Sequence, residues 1–296
     1  MNAIHVLSPG FLTTVQDLGR YGHAHLGISA SGAADALALR AGNLLVGNAE
    51  NAAALEMTLT GGDIEFQQDA VIALTGSDFG AGLPLWAPLE IKAGYVLRFG
   101  GTKAGARAYL SVRGGIDAPL TLGSASAHLL TGVGGAALRK GTTLRIGNSA
   151  IRKPRGAAKS PPQWERASTV RLTDGPQADW FCDDLDVLYR GAYTVAEECN
   201  RMGIRLIGTA IPSPAGGMLT EGVALGAIQV PPDGQPIVLF VEHQTTGGYP
   251  KPANVISADF WRLGQMRPRD EVRFERVTIE SALQLLQAQE KWLYTL

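Results

Sequence analysis

The sequence predicts a mainly β protein, built as two β-barrel-like halves with a few short helices. Three observations carry that expectation. Short apolar runs punctuated by glycine recur in both halves of the 296-residue chain. Glycine is abundant, at 37 residues beside 16 prolines, and its lack of period excludes a collagen-like repeat and implies many tight turns. Between the halves, NSAIRKPRGAAKSPPQWERA (148–167) is rich in cations and proline and has no apolar period.

Residues 1–148 are expected as an N-terminal β-rich domain with strand-like runs at 55–59, 71–75, 95–99 and 108–112. One helix is expected over 34–46, where Leu37, Ala41, Leu44 and Leu45 share a face and Gly47 marks the end. Residues 149–167 are expected as an exposed linker. The second domain, 168–296, has runs at 169–173, 227–230, 237–241 and 271–274. Its terminal helix, 278–292, has Thr278 as N-cap and Glu280 in the first turn, with Ala282, Leu285, Leu286 and Leu293 on the buried side. ARAYLSVRGGID and PIVLFVEHQTTGGYP share an order of apolar strand, ion and Gly-Gly, which suggests two topologically related halves. Chance matching in a glycine-rich chain is the competing explanation.

Composition narrows the function classes. With 26 basic and 27 acidic residues, net charge −1, the chain has no general pull toward nucleic acid or an anionic membrane. Two cysteines, Cys182 and Cys199, make neither a disulfide framework nor a Cys-rich metal site. MNAIHVLSPG lacks the charged and apolar regions of a signal peptide, and no apolar run approaches the roughly 20 residues of a membrane helix. A cytoplasmic protein is expected. The dipeptide Gly-Lys never occurs, which excludes a P-loop, and no G-x-S-x-G elbow is present.

The densest polar motif is AIQVPPDGQPIVLFVEHQTTGGYPKPAN (227–254). Two apolar runs flank a Pro-Pro-Asp-Gly turn and deliver Glu242, His243, Gln244, Thr245 and Thr246 onto Gly247, Gly248 and Tyr249. Polar side chains at a strand end, beside glycines that expose backbone N–H groups, suit a carbonyl, carboxylate or phosphate. A hairpin turn that merely needs glycine is the plainer reading. A second motif, TTVQDLGRYGHAHLGISASGAAD (13–35), offers Gln16, Asp17, Arg20, Ser31 and Asp35. Gln is both donor and acceptor, Arg grips oxyanions bidentately, and the turn at Ser31 opens a helix N-terminus. An Asp17–Arg20 structural pair with an ordinary N-cap explains the same residues. Arg113 and the pair Asn200–Arg201 complete the candidates. His23 and His25 would share one face of a strand, but no third ligand follows locally, so no metal is expected.

These blocks in order, SPGFLTTVQDLGRYG, SGAADALALRAGNLLVGN, ALEMTLTGG, ARAYLSVRGGID, NRMGIRL, EGVALGAIQVPPDGQPI and QTTGGYPKPANVISAD, resemble the carboxyltransferase A/B-type family. It is also called the allophanate hydrolase subunit 2 family. The resemblance runs from about residue 8 to residue 275, although the Gly-Ser-rich amidase signature is absent. It implies a cyclophilin-like barrel and, by similarity to free-standing bacterial members, the C subunit of an ATP-dependent 5-oxoprolinase partnered by subunits A and B. That reaction opens 5-oxo-L-proline to L-glutamate while ATP becomes ADP and phosphate; ATP would be bound by, or shared within, the complex. Phosphorylating the lactam oxygen creates a leaving group and an electrophilic carbon, so the site must hold a carbonyl, a carboxylate and a phosphoryl group. The resemblance implies catalytic roles for Gln16, Asp17, Arg20 and Gln244. It implies substrate binding by Ser31, Asp35, Arg113, Asn200, Arg201, Thr245, Thr246, Gly247, Gly248 and Tyr249. Two alternatives come with it: biotin-dependent carboxyl transfer to urea or a similar amide, and a regulatory protein that antagonises a sensor-kinase inhibitor. The chain departs from the family pattern at Glu242-His243, at Cys199, and after Gly123, where it reads GSASAH.

Overall fold

Ten strands and one helix build the first part of the chain: β1 (Ala3–Ser8), β2 (Leu12–Gln16), α1 (Ala36–Val46), β3 (Ala54–Thr58), β4 (Asp63–Phe66), β5 (Ala70–Gly76), β6 (Pro88–Ile91), β7 (Val96–Arg98), β8 (Arg107–Val112), β9 (Ile116–Asp117) and β10 (Thr143–Ile146). The structure is a computed structural model and describes residues 2–213 and 218–296, without the side chain of residue 183. The strands form two antiparallel five-stranded sheets, β7-β4-β1-β10-β9 and β2-β3-β8-β5-β6. One core joins them, with Ile4, Ile64, Phe66 and Leu97 from the first sheet meeting Leu55, Met57, Ile72 and Leu110 from the second. Strand β8 is buried along its whole length because α1 covers the second sheet's other face. Thr75 Oγ1 donates to the carbonyl of Ala38 there (2.7 Å).

The helix forms as its sequence predicts. Asp35 accepts from the N–H of Ala38 (2.9 Å) as N-cap, and Gly47 ends the helix with φ +83°, a left-handed conformation that costs glycine nothing. Strands overlap all four expected runs of this part of the chain, with Leu59, Tyr95 and Phe99 falling just outside them. The segment after β10 is exposed and irregular, but it is pinned rather than free. The N–H groups of Ile151 and Arg152 reach the carbonyl of Gly47, and Arg155 N–H reaches that of Leu45. Its unpaired backbone donors find the open carbonyls at the end of α1, which a polar linker composition does not reveal.

The second part contains a closed seven-stranded barrel. It comprises β11 (Ala167–Asp174), α2 (Asp186–Arg190), β12 (Ala192–Val195), β13 (Gly203–Ile207), β14 (Glu221–Gly222), β15 (Ala227–Gln229), β16 (Ile237–Leu239), β17 (Thr246–Gly247), β18 (Ala253–Val255), α3 (Phe260–Gln265), β19 (Glu271–Arg276) and α4 (Ile279–Tyr294). The barrel order is β11-β18-β15-β16-β13-β12-β19, and a parallel pairing of β19 with β11 closes it. Alternation with period two points Ser168, Val170 and Leu172 of β11 and Val272 and Phe274 of β19 inward. Strands β14 and β17 make a separate two-stranded ribbon. The turn between β15 and β16 closes with Gly234 N–H on the carbonyl of Pro231 (2.9 Å). Thr278 Oγ1 accepts from Ser281 N–H at the start of α4, as expected. On that helix Leu293 is buried, while Ala282, Leu285 and Leu286 are only half-buried.

The chain divides into two compact units, Met1–Arg20 with Ser31–Trp164 and Trp292–Leu296, and Tyr21–Ala30 with Glu165–Lys291. The mainly β fold with a barrel and few helices is as expected, but the suggested internal repeat fails. Strand β10 pairs antiparallel with β1 in an open sheet, whereas its counterpart β19 pairs parallel with β11 to close a barrel. Strand followed by Gly-Gly is a local turn requirement, and it recurs without shared topology. Among the described residues, no helix is long and apolar enough to cross a membrane.

Candidate functional site

In the first unit, the loop over 121–127 gathers four of the candidate residues. Asp17 follows β2, and its Oδ1 accepts from Gly19 N–H (2.8 Å), Ser124 Oγ (2.6 Å) and Ser126 Oγ (2.5 Å), while Oδ2 accepts from Ala125 N–H (2.7 Å). Arg20 is buried and donates to the carbonyls of Thr121 and Ser126. Gln16 Nε2 donates to Ala127 O (3.0 Å) and Thr14 Oγ1 (3.0 Å), and Ser31 Oγ donates to the same Ala127 carbonyl (3.4 Å). Asp17 and Arg20 thus hold a loop, with their polar atoms turned toward backbone and hydroxyl partners. Gln16 is 0% exposed, and its Oε1 is a buried acceptor that meets no hydrogen-bond donor among the described residues. Ser124 and Ser126 are partners that sequence reasoning missed; they stand where the chain reads GSASAH.

Asp35 serves α1 and a neighbouring buried network. Its N–H donates to the Tyr109 hydroxyl (2.8 Å), which donates to Glu56 Oε2 (2.6 Å), and Ala34 N–H also donates to Glu56 (2.8 Å). Burial, then the charge of Glu56, pushes Tyr109 well above its usual pKa, so it remains a phenol and a donor. Arg113 lies elsewhere. Its Nη1 donates to the carbonyls of Val46 (2.7 Å) and Arg152 (2.6 Å) at the C-terminal end of α1, whereas Ser31 and Asp35 precede its N-terminus. An 11-residue helix is about 16 Å long, so Arg113 does not join the Asp17 loop. It does line an open groove of about 520 Å³ with Asp69, Glu90 and Lys92.

In the second unit the candidates collect around the glycine ribbon. Strand β17 pairs with β14 so that Gly247 faces Glu221 and Thr246 faces Gly222. Gln244 is exposed, and its Nε2 donates to Gln229 Oε1 (3.2 Å). Thr245 contributes its carbonyl to Val223 N–H (3.1 Å), and Tyr249 is exposed. Arg201 forms a buried ion pair with Glu242, Nε to Oε1 at 2.5 Å, and Glu242 N–H returns to Arg201 O (2.7 Å). Asn200 caps the turn before β13 by accepting from Met202 N–H (2.8 Å). Both residues therefore support the strand ends beside the ribbon. His243 Nδ1 donates to Gln244 O (2.6 Å), which leaves Nε2 as the acceptor of a neutral ring. Burial lowers the His243 pKa, partly opposed by that hydrogen bond.

Four ribbon residues escaped the sequence reading. Lys251 Nζ donates to Glu221 Oε1 (2.5 Å), Gln177 Nε2 donates to the same oxygen (2.9 Å), and Gln177 Oε1 accepts from Lys251 N–H (3.1 Å). The hydrogen bond from Lys251, then that from Gln177, holds the Glu221 carboxyl below its ordinary range. Gln229 is the fourth. A glutamine inside the apolar run AIQV was the available signal, because a buried polar side chain needs a reason. His23 precedes and His25 lies within a 3₁₀ turn over Ala24–Leu26, and neither is on a strand. Among the described residues, no group of three or more His, Cys, Asp or Glu is placed to hold a metal ion.

Comparison with known proteins places this geometry in a family. The model of the carboxyltransferase domain, subdomain A and B, matches residues 26–276. The chain is 38% identical over 299 residues to the C subunit of 5-oxoprolinase from Escherichia coli (strain K12), covering 98% of this chain and 96% of that protein. It is 37% identical to the Haemophilus influenzae protein of the same name, covering 98% and 96%. Among solved structures, the Kluyveromyces lactis urea amidolyase superposes with a TM-score of 0.91 at 30% identity over 99% of this chain. This chain spans only 20% of that enzyme's length. A match over so much of the sequence, with the same mainly β fold, establishes that the chain belongs to the family of the carboxyltransferase domain, subdomains A and B.

Proposed function

We propose that the chain is the C subunit of a cytoplasmic, ATP-dependent 5-oxoprolinase, active only with partner subunits A and B. The end-to-end similarity to two proteins named as 5-oxoprolinase C subunits is the observation that carries this reading. The reaction consumes 5-oxo-L-proline, ATP and two waters and yields L-glutamate, ADP and phosphate. Its difficulty is amide resonance, which withholds the carbonyl carbon from water until the oxygen is activated. Gln244, Thr245, Thr246 and the Gly247–Gly248 amides are the proposed carbonyl-binding groups, bordered by Tyr249. Within the first unit, Gln16, whose Oε1 meets no donor among the described residues, is proposed to accept from a ligand N–H group. Asp17, Arg20 and Ser31 position the 121–127 loop, while Arg201 and Asn200 steady the strand ends beside the ribbon.

ATP is proposed as a substrate shared within the complex. The test is reconstitution: this chain with subunits A and B, assayed for oxoproline-dependent ATP turnover. Turnover that requires the chain supports the reading; turnover unchanged by omitting it ends the reading. Similarity to the urea amidolyase structure favours one second reading, carboxyl transfer to urea or a related amide from biotin on a separate carrier. Carboxylation of urea by this chain with a biotinylated carrier, without oxoproline turnover, would establish it instead.

A further inference from the structure

Two buried donors, Gln229 against Gly247 and Lys251 on Glu221, have no role in the oxoprolinase reading. Lys251 has a side chain only 4% exposed, and its ammonium meets one acceptor among the described residues, Glu221 Oε1. An ammonium carries three N–H donors, so this leaves capacity for a further oxygen. Gln229 is 2% exposed; its Oε1 is occupied by Gln244, and its Nε2 meets no acceptor among the described residues. A side chain at Gly247 would place Cβ 2.4 Å from that Nε2, so the donor sits directly against the ribbon backbone. Glu221, which anchors Lys251, is the residue facing Gly247 across the ribbon. Gln229 thus lies against Gly247, and Lys251 is bonded to the carboxylate of the residue that faces Gly247 across the ribbon.

We propose that Lys251 and Gln229 form a donor pair for the carbonyl oxygen of a small amide or lactam held at the β14–β17 ribbon. The proposal deepens the oxoprolinase reading and rests on it for the amide class. A native fold seldom leaves a buried amide donor unpaired, and a ligand oxygen supplies the missing acceptor. The ammonium is already balanced by Glu221, which stays ionised because Lys251 and Gln177 hold its pKa down. A near-neutral site of that kind favours a polar carbonyl over a phosphate dianion. Gln177 makes the site rigid by tying the Lys251 backbone to the Glu221 carboxylate.

The chain assembled with subunits A and B is titrated with 2-pyrrolidinone, 5-oxo-L-proline, urea and inorganic phosphate, and binding is followed by ligand-observed NMR. The wild type should bind the amides and not phosphate. Gln229→Leu and Lys251→Met should each weaken amide binding tenfold or more, with partial recovery in Lys251→Arg. Gln229→Glu keeps an acceptor for Gln244 but removes the donor, so it should behave as Gln229→Leu even if the latter folds poorly. Amide binding within twofold of wild type in Gln229→Glu and Lys251→Met overturns the pair, as does phosphate binding without amide binding, or no binding at all. If oxoproline turnover persists in both variants, the donor pair falls and the oxoprolinase reading stands. If the wild type lacks turnover yet binds urea through both residues, the reverse holds.

Discussion

Arg20 and Gln244 look alike in sequence, each a polar residue in a glycine-flanked motif, but burial separates them. Arg20 donates to two carbonyls from a side chain that is almost wholly enclosed, so Arg20→Ala should cost about 2–4 kcal/mol in urea unfolding. An unchanged unfolding free energy would contradict its structural role. Gln244 is exposed, so Gln244→Ala should leave the thermal midpoint within a degree or so and reduce turnover by roughly 100-fold. Full activity in this variant would remove Gln244 from the site. His243 gives a pH signature. Because burial lowers its folded pKa below the ordinary 6.5, the unfolded chain binds more protons there, and stability is lost as pH falls from 6.5 toward the folded value. His243→Asn should flatten that portion of the stability–pH curve, and a superimposable curve would refute the assignment.

Elements show how far local rules reach. Helix α1 was legible because periodicity, N-cap and terminal glycine agree, and Asp35→Ala should cost about 1 kcal/mol through loss of the cap. Chemical denaturation measures it, and no change would mean that the Tyr109–Glu56 network alone fixes the helix start. The hairpin of β15 and β16 was legible for the same reason: apolar runs and a turn sequence in register. The ribbon of β14 and β17 was not, since two-residue strands carry no periodicity and their partners lie far apart in sequence. The pinned segment after β10 was also hidden, because its partners are carbonyls at the end of α1.

At the scale of the whole molecule, barrel closure is the long-range event in the second unit. Val170 and Phe274 are register partners across the parallel β11–β19 seam, and both are buried. Phe274→Ala should destabilise by about 3–5 kcal/mol, with amide exchange quickening along β11, β12 and β19. Exchange unchanged in those strands would show that the seam does not bear on stability. The sequence by itself determined the mainly β class, helix α1, several strands, the family and the two polar motifs. Each of these depends on nearby residues or on ordered blocks along the chain. Tertiary structure alone decided that Asp17 grips Ser124 and Ser126, that Arg113 serves the far end of α1, that Lys251 bonds Glu221, and that Gln229 lies against Gly247. Those contacts join residues brought together only when strands pair and cores fill, and the free energy of pairing and burial is a property of the assembled sheet rather than of any single segment.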